Sequence, residues 1–598
     1  MSMKKISKKV SSNNKTRYTW DLSKLYSSPT DPQIEIDMQK AEKIYADFAQ
    51  KFGSKDTSYI HNDEQLLTAL KEYEQLHIHA LPKPIVYFFY QQSLNSSDSA
   101  ISAQNALLST RLAKASSLVT FFPIVVGSIV TSRQKEILKN STFKHFHFLL
   151  TCMFTDAKHL LSSAEEKISA LKNLPARELW VDHNKKILNS QTIIWNKKVI
   201  TLNEAFELVT QQKTSVLRRK LADLVYVKLK EVAVFSEGEI NAIFTDKKIE
   251  DELRNYPTPY AETVRQYRNE IQVVENLRTI VTDGFHIAHR FFRIKAKLLK
   301  QKKLYYSDRG AHIGEVKGSY SFDDSVNRLK DIFGGVDTKY ASIIKKYIDG
   351  RYIDVYPRQG KTGGAYCSST YQTPVYILLN HVDSLRSFTT LAHELGHAFH
   401  SELSENQGPV YSNYSYALAE TASTLFEGVA IDSVLNSLPE KDQIILLHDK
   451  INESVATIFR QIACFNFELD LHQAIRTKGF VPKEEIAELH NKNMLAYLGP
   501  LFKMEPDNGY MFVSWSHIRR FFYVYSYAFG LIVSRALLHR YKQDPSFWKK
   551  IEQFLSAGGS ESPEDILKHI GIDVTAPTFF KEGLKSVEED IDKLEALL

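Results

Sequence analysis

At 598 residues, with 43% hydrophobic and 24% charged content, the chain is long enough for a large buried core and unlike disordered or fibrous sequences. Its net charge of +6 is accounted for by Lys4, Lys5, Lys8, Lys9, Lys15 and Arg17, all before the first acidic residue, Asp21, so neither a polyanion-binding groove nor a nucleic-acid partner is implied. Three scattered cysteines, Cys152, Cys367 and Cys464, suit neither a disulfide framework nor a thiolate metal site and point to a reducing, cytoplasmic setting.

Residues 1–17 read as a disordered basic arm, without the apolar stretch a secretory signal carries behind its positive charge. "TWDLSKLYSSPTDP" (19–32) is an irregular lead-in, and 33–53 then shows apolar residues at helical spacing up to a glycine. The same periodicity recurs over 64–80 and 98–118. The uncharged run "SLVTFFPIVVGSIVTS" (117–132) approaches a short membrane span in length, but Pro123, Gly127 and its hydroxyls fit a buried core segment, so no membrane partner is expected. Helical spacing continues through 161–174, 202–213, 215–233, 259–299, 322–333 and 337–348.

Strand-like writing is confined to 351–381, where "RYIDVYP", "GGAYCSST" and "TPVYILLNH" are β-branched, aromatic and broken by glycine or proline. Helices resume at 384–403, 416–437, 440–476, 483–496 and 520–542. The fold class is therefore mainly α, with one small β element leading into the helix at 384. A change near "NKKVITLNEAFE" divides an N-terminal helical domain, 18–200, from a catalytic domain, 201–598.

The chemistry concentrates in "LAHELGHAFH" (391–400). Residues four apart on a helix share a face, so His393 and His397 can hold one ion between them. Glu394, about 100° around the helix, is placed to take a proton from a water at that ion without being a ligand. His400 shares the histidine face but reads as a helix-end residue, and Asp383 is the expected N-cap.

A catalytic Zn2+ needs a third protein ligand and an open position. "YALAETASTLFEGVA" (416–430) supplies Glu420, a carboxylate among small and apolar residues that would be costly to bury without a cation. Glu427, seven positions on, returns to nearly the same face and can orient a ligand histidine through its second nitrogen.

With these residues placed, the sequence resembles the oligoendopeptidase F group of the thimet oligopeptidase family of zinc peptidases. The resemblance is carried by "TWDLSKLY", "IDVYPRQGKTGGAYC", "VYILLN", "TLAHELGHAFH", "ALAETASTLFE" and "HIRRFFYVYSYAFG", in that order. It implies two helical lobes around a deep channel that admits short unstructured peptides, with one zinc ion on the floor. It also implies that His517 and one or more of Tyr523, Tyr525 and Tyr527 contact substrate and stabilise the oxyanion. Tyr523 and Tyr527, four apart, would share a helix face; Tyr525 would point elsewhere. Two departures from the family's pattern, Ser516 in place of a frequent proline and an extra glycine in "QGKTGGAYC", bear on the placement of His517 and of the substrate-binding edge.

The expected activity is zinc-dependent endopeptidase cleavage of short oligopeptides. "VYILLN" and "GGAY" are expected to pair with the extended peptide backbone as an added strand. Two other readings are a metal-dependent carboxypeptidase and a non-catalytic peptide-binding protein of the same fold; the second should have lost the base or a ligand, and all four groups are present.

Overall fold

The computed structural model describes residues 16–54 and 56–598, so the basic arm at 1–17 lies almost entirely outside the described residues. Helices dominate and the strands are few and short, the mainly α architecture expected. Two apolar cores form. In the smaller, the helix Gln33–Phe52 presents Tyr45, Phe48 and Phe52 on one face, against Leu66 and Leu70 of Asp63–Ile78 and Phe122 and Val126 of Phe121–Gly127. The uncharged run thus buries Phe122 and Val126 while exposing Leu118 and Val130. Among the described residues no single helix is long and apolar enough to cross a membrane; Ser99–Gly127 with Thr131–Lys139 reaches that length only as a pair bent by 95°.

The larger core holds everything that positions the site. Its longest helix, Ser215–Leu253, runs well past the expected end at 233, because Ile240, Ile243 and Phe244 keep the apolar face and Lys247 and Asp251, both buried, pair with each other. Conversely, 259–299 is broken into Ala261–Gln266, Ile271–Asp283 and Phe285–Leu298, with Arg268 in the left-handed region at φ 61°. The stretch 440–476 becomes Glu440–Ser454 and Arg460–Lys478, joined through a π turn at Val455–Phe459. A hairpin absent from the sequence reading pairs Thr192–Trp195 with Lys198–Thr201 around Asn196 and Lys197, both at positive φ, the backbone a two-residue hairpin turn requires.

The small β element has three strands. Tyr376–Leu378 lies in the middle, parallel to Ile353–Asp354 and antiparallel to Tyr366–Ser368. The N-terminal lead-in is stitched to it: the Trp20 indole donates to the carbonyls of Tyr352 (3.0 Å) and Ile377 (2.8 Å), and the Val355 amide donates to Tyr18 O at 3.0 Å. The "VYILL" strand is thus paired on both sides and cannot accept a peptide as an extra strand; the outer strands are Ile353–Asp354, flanked by the N-terminal lead-in, and Tyr366–Ser368.

Candidate active site

The histidine helix spans Leu385–Ser404. Its N-cap is Ser384, whose Oγ accepts from the Ser387 amide at 3.2 Å, and not the expected Asp383, which sits at φ 54° in the turn before it. Leu391, Leu395, Ala398 and Phe399 fix one face of the helix in the core and leave His393 and His397 on the other. The glutamate helix, Tyr416–Leu435, packs directly against it. Gly396 permits that approach: a Cβ there would lie 2.7 Å from Ser423 Cα and 2.8 Å from Ala422 O. The glycine between the two histidines therefore lets two backbones meet, and so brings Glu420 to the imidazole pair.

Glu420 Oε2 lies 3.4 Å from His393 Nε2 and 3.6 Å from His397 Nε2, and the three ligand atoms fall within 4.8 Å of one another. Ser423, one turn on, donates to the same Oε2 at 3.0 Å. On the far side of the ring, His393 Nδ1 donates to Glu427 Oε2 at 3.1 Å, which leaves Nε2 as the nitrogen that faces Glu420 and His397. Burial disfavours a charge on His393, but hydrogen bonds to Glu420 and Glu427 outweigh it and raise its pKa. Burial and the charge on His393 push His397 down to about 4, and Glu420, despite burial, is held near 2 by His393. Two carboxylates flanking two imidazoles, with His397 kept neutral, form an acidic nest that accepts a cation.

Glu394 lies behind this group, 5% exposed, with Oε2 unpaired among the described residues. Its carboxylate accepts from the backbone amide of Cys367, in the edge strand of the β element. Burial, together with the neighbouring acids Glu420 and Glu427, raises its pKa to about 7. His400 is not a solvated helix-end residue: it is 1% exposed and stacked on Tyr414 at 3.6 Å, outside the three-ligand group.

The aromatic groups arrive from the segment 515–527. The expected helix at 520–542 begins only at Tyr525, so Tyr523 is not on it. Between His517 and Tyr523 the chain turns through Phe521 (φ 40°) and Phe522 (φ 57°), both buried. Such a conformation is costly for a β-carbon-bearing residue and persists only where neighbours over-determine it. Here the Phe522 amide donates to Glu468 at 2.7 Å, Thr263 donates to Phe521 O at 2.8 Å, and His472 stacks on Phe522. The turn still brings Tyr523 and Tyr527 edge to face at 5.2 Å, with the His517 ring parallel to Tyr523 at 5.8 Å. His517 Nε2 lies 3.4 Å from the Tyr527 hydroxyl. Tyr525 does point elsewhere, fully buried with its hydroxyl on Asn269 at 2.9 Å.

Trp515 is the residue that sequence reasoning missed here. Its indole donates to His517 Nδ1 at 3.1 Å, and an indole can only donate. Burial and the nearby Arg460 and Arg520 lower the pKa of His517, so the ring is neutral and carries its proton on Nε2, facing Tyr527. The signal was present in "WSH", a donor two residues before the histidine. A cavity of about 290 Å3 bordered by His393, Glu420, Glu427, Glu453 and Tyr527 adjoins the site, and one of about 480 Å3 opens on the far side of His517.

The chain as a whole is similar to known proteins. The family model described as Peptidase family M3 matches residues 208–586, well over half of the chain. Oligopeptidase PepF of Bacillus subtilis is 24% identical, over 98% of this chain and 88% of its own length. An oligoendopeptidase F homolog of Borreliella burgdorferi is 26% identical over 77% of this chain and 79% of its own. Among solved structures, oligoendopeptidase-F from Enterococcus faecium superposes with a TM-score of 0.70 at 18% identity, covering 94% of this chain and 99% of its own, which speaks to the fold. A Chlamydophila abortus structure reaches 0.82 at 22% identity, covering 97% of this chain and 98% of its own. The chain belongs to peptidase family M3, within its oligoendopeptidase F group.

Proposed function

We propose that the protein is a zinc-dependent endopeptidase that hydrolyses internal bonds of short, unstructured peptides. The observation that carries this reading is the meeting of His393, His397 and Glu420 within ligand reach of one point, beside the buried, partnerless Glu394 oxygen. The donor set suits zinc: two imidazole nitrogens and one carboxylate, with Glu427 holding the Nδ1 proton of His393 so that a cation takes the place of the proton on Nε2. When bound there, the ion supplies Lewis acidity that polarises the scissile carbonyl and makes a water more acidic.

The remaining chemistry belongs to the chain. Glu394, with a pKa raised toward neutrality before any ion is present, takes a proton from the attacking water and passes it to the leaving amine. His517, protonated on Nε2 and uncharged, donates to the developing oxyanion, with the Tyr527 hydroxyl as the second donor and Tyr523 packing both rings. Support for endo rather than exo action comes from relatives named oligoendopeptidase F, such as the Borreliella burgdorferi homolog.

The test is an internally quenched nonapeptide with mass-spectrometric mapping of products. Wild-type protein should lose activity on removal of metal by phenanthroline and regain it with one equivalent of zinc. Glu394→Gln should bind zinc stoichiometrically and turn over at least about 1,000-fold more slowly. Full activity in the chelated protein, or release of single C-terminal residues only, would refute the reading.

A further inference from the structure

The interior beside His517 holds more positive charge than it neutralises. Arg309 and Arg460 both line the cavity of about 480 Å3 next to His517 and a second, of about 180 Å3, behind it. Neighbouring buried arginines are matched: Arg218 with Asp308 at 2.8 Å, and Arg519 with Glu239 at 2.7 Å. The two that face the cavities are not. Among the described residues neither has a carboxylate within ion-pair distance. Arg309 donates to the Tyr306 carbonyl at 2.9 Å and lies over that ring at 4.0 Å, while Arg460 Nε is shut from solvent with no partner.

A buried lysine holds the Arg309 backbone from beneath without adding a full charge. Lys295, fully buried, donates at 2.7 Å only to uncharged acceptors, Arg309 O and Asn452 Oδ1, and burial lowers its pKa to about 7. The buried Tyr497 hydroxyl lies within electrostatic reach of both guanidiniums. Arg309 and Arg460 are half-buried; a half-buried charge without a counter-ion attracts an anion, and the planar fork of a guanidinium matches a carboxylate with two parallel hydrogen bonds. The separate cavity at the metal-binding group carries Glu427 and Glu453 beside His393 and Glu420. A carboxylate is therefore attracted to the arginine-lined cavities, where no acid competes with it.

We propose that Arg309 and Arg460 form a carboxylate-binding subsite that anchors the free C-terminal carboxylate of the peptide. This deepens the peptidase reading and rests on it. Anchoring one chain end at a built cationic site would favour short peptides with a free terminus and set the cleaved bond by its distance from that terminus.

The test measures binding apart from turnover, by fluorescence anisotropy on zinc-loaded Glu394→Gln protein. The probes are an N-terminally labelled nonapeptide of glycine, alanine and leucine, as free acid and as C-terminal amide, and the amide with one internal glutamate. The free acid should bind about tenfold more tightly than the plain amide, and the ratio should fall to within about twofold when Arg460→Gln or Arg309→Gln is added. Arg460→Lys, which keeps the charge but not the fork, should give an intermediate ratio, and thermal melts identify any variant that is simply unfolded. An arginine-dependent preference seen with the internal glutamate alone supports carboxylate recognition and moves its source from chain end to side chain. No acid preference, or one that survives in both arginine variants, overturns the subsite. Failure of wild-type turnover with arginine-dependent binding intact would sink the hydrolase reading and not this one.

Discussion

The indole of Trp515 donates to Nδ1 of His517 at 3.1 Å, and this one contact decides which nitrogen of the imidazole faces Tyr527. With Nδ1 occupied, the neutral ring must carry its proton on Nε2, where a hydrogen bond to a developing oxyanion is useful. Trp515→Phe keeps the packing and frees the tautomer. The expected result is a fall in kcat of about tenfold with little change in KM, while His517→Ala loses about 100-fold; equal activity of Trp515→Phe and wild type would show that the contact does not select the tautomer.

Gly396 carries the metal group at one remove. Gly396→Ala would set a methyl 2.7 Å from the Ser423 backbone and 2.8 Å from Ala422 O, and both obstacles are main chain. The helices must separate, costing about 1–3 kcal/mol of stability and withdrawing Glu420 from His393 and His397. Zinc affinity measured by competition with a chelating dye should drop at least tenfold, together with the melting temperature. Unaltered affinity would mean that the helix spacing does not set the site.

The left-handed turn at Phe521 and Phe522 should depend on Glu468. This carboxyl is fully buried, and burial raises its pKa well above the usual carboxylate range, so it is held neutral while accepting from the Phe522 amide. Glu468→Gln keeps that acceptor and should fold and work nearly as wild type. Glu468→Ala leaves a buried amide unpaired, at a cost of about 1–3 kcal/mol, and lets Tyr523 drift from His517, with a matching loss of kcat. Identical behaviour of the two variants in denaturant melts and in turnover would remove the turn from the account.

Acid sensitivity should come from buried imidazoles outside the three-ligand group. Burial pushes His400 and His490 down to about 3 and His472 well below its ordinary value, and His472 and His490 have both ring nitrogens unpaired among the described residues. Below about pH 6.5 the unfolded chain binds protons that the folded chain refuses, so stability is fully present above that pH and declines as pH falls toward the folded pKa values. Each such histidine contributes a slope of up to about 1.4 kcal/mol per pH unit. Urea midpoints at pH 7.5 and 5.5 should therefore differ strongly, and His490→Phe should flatten the dependence; a midpoint independent of pH would contradict the burial.

Periodicity suffices for most helices of this chain because an amphipathic face is written in consecutive residues. It fails where long-range partners decide. The Ser215–Leu253 helix continues past 233 because Asp251 compensates Lys247, and the turn at Phe521 and Phe522 is stable only because Glu468 and Thr263 reach it from distant segments. The "VYILL" strand reads as a free edge in sequence, yet it is the middle strand once Ile353–Asp354 and Tyr366–Ser368 flank it.

By itself the sequence determined the local geometry of the site: His393 and His397 on one helical face with Glu394 offset from them, and Glu420 and Glu427 on one face of a second helix, since those relations follow from 3.6 residues per turn. Only the tertiary structure decided that Gly396 brings those two faces together, that Trp515 sets the tautomer of His517, and that Arg309 and Arg460 face a cavity without counter-charges. Distances between segments far apart in the chain depend on packing against every neighbour at once, and no local spacing encodes them.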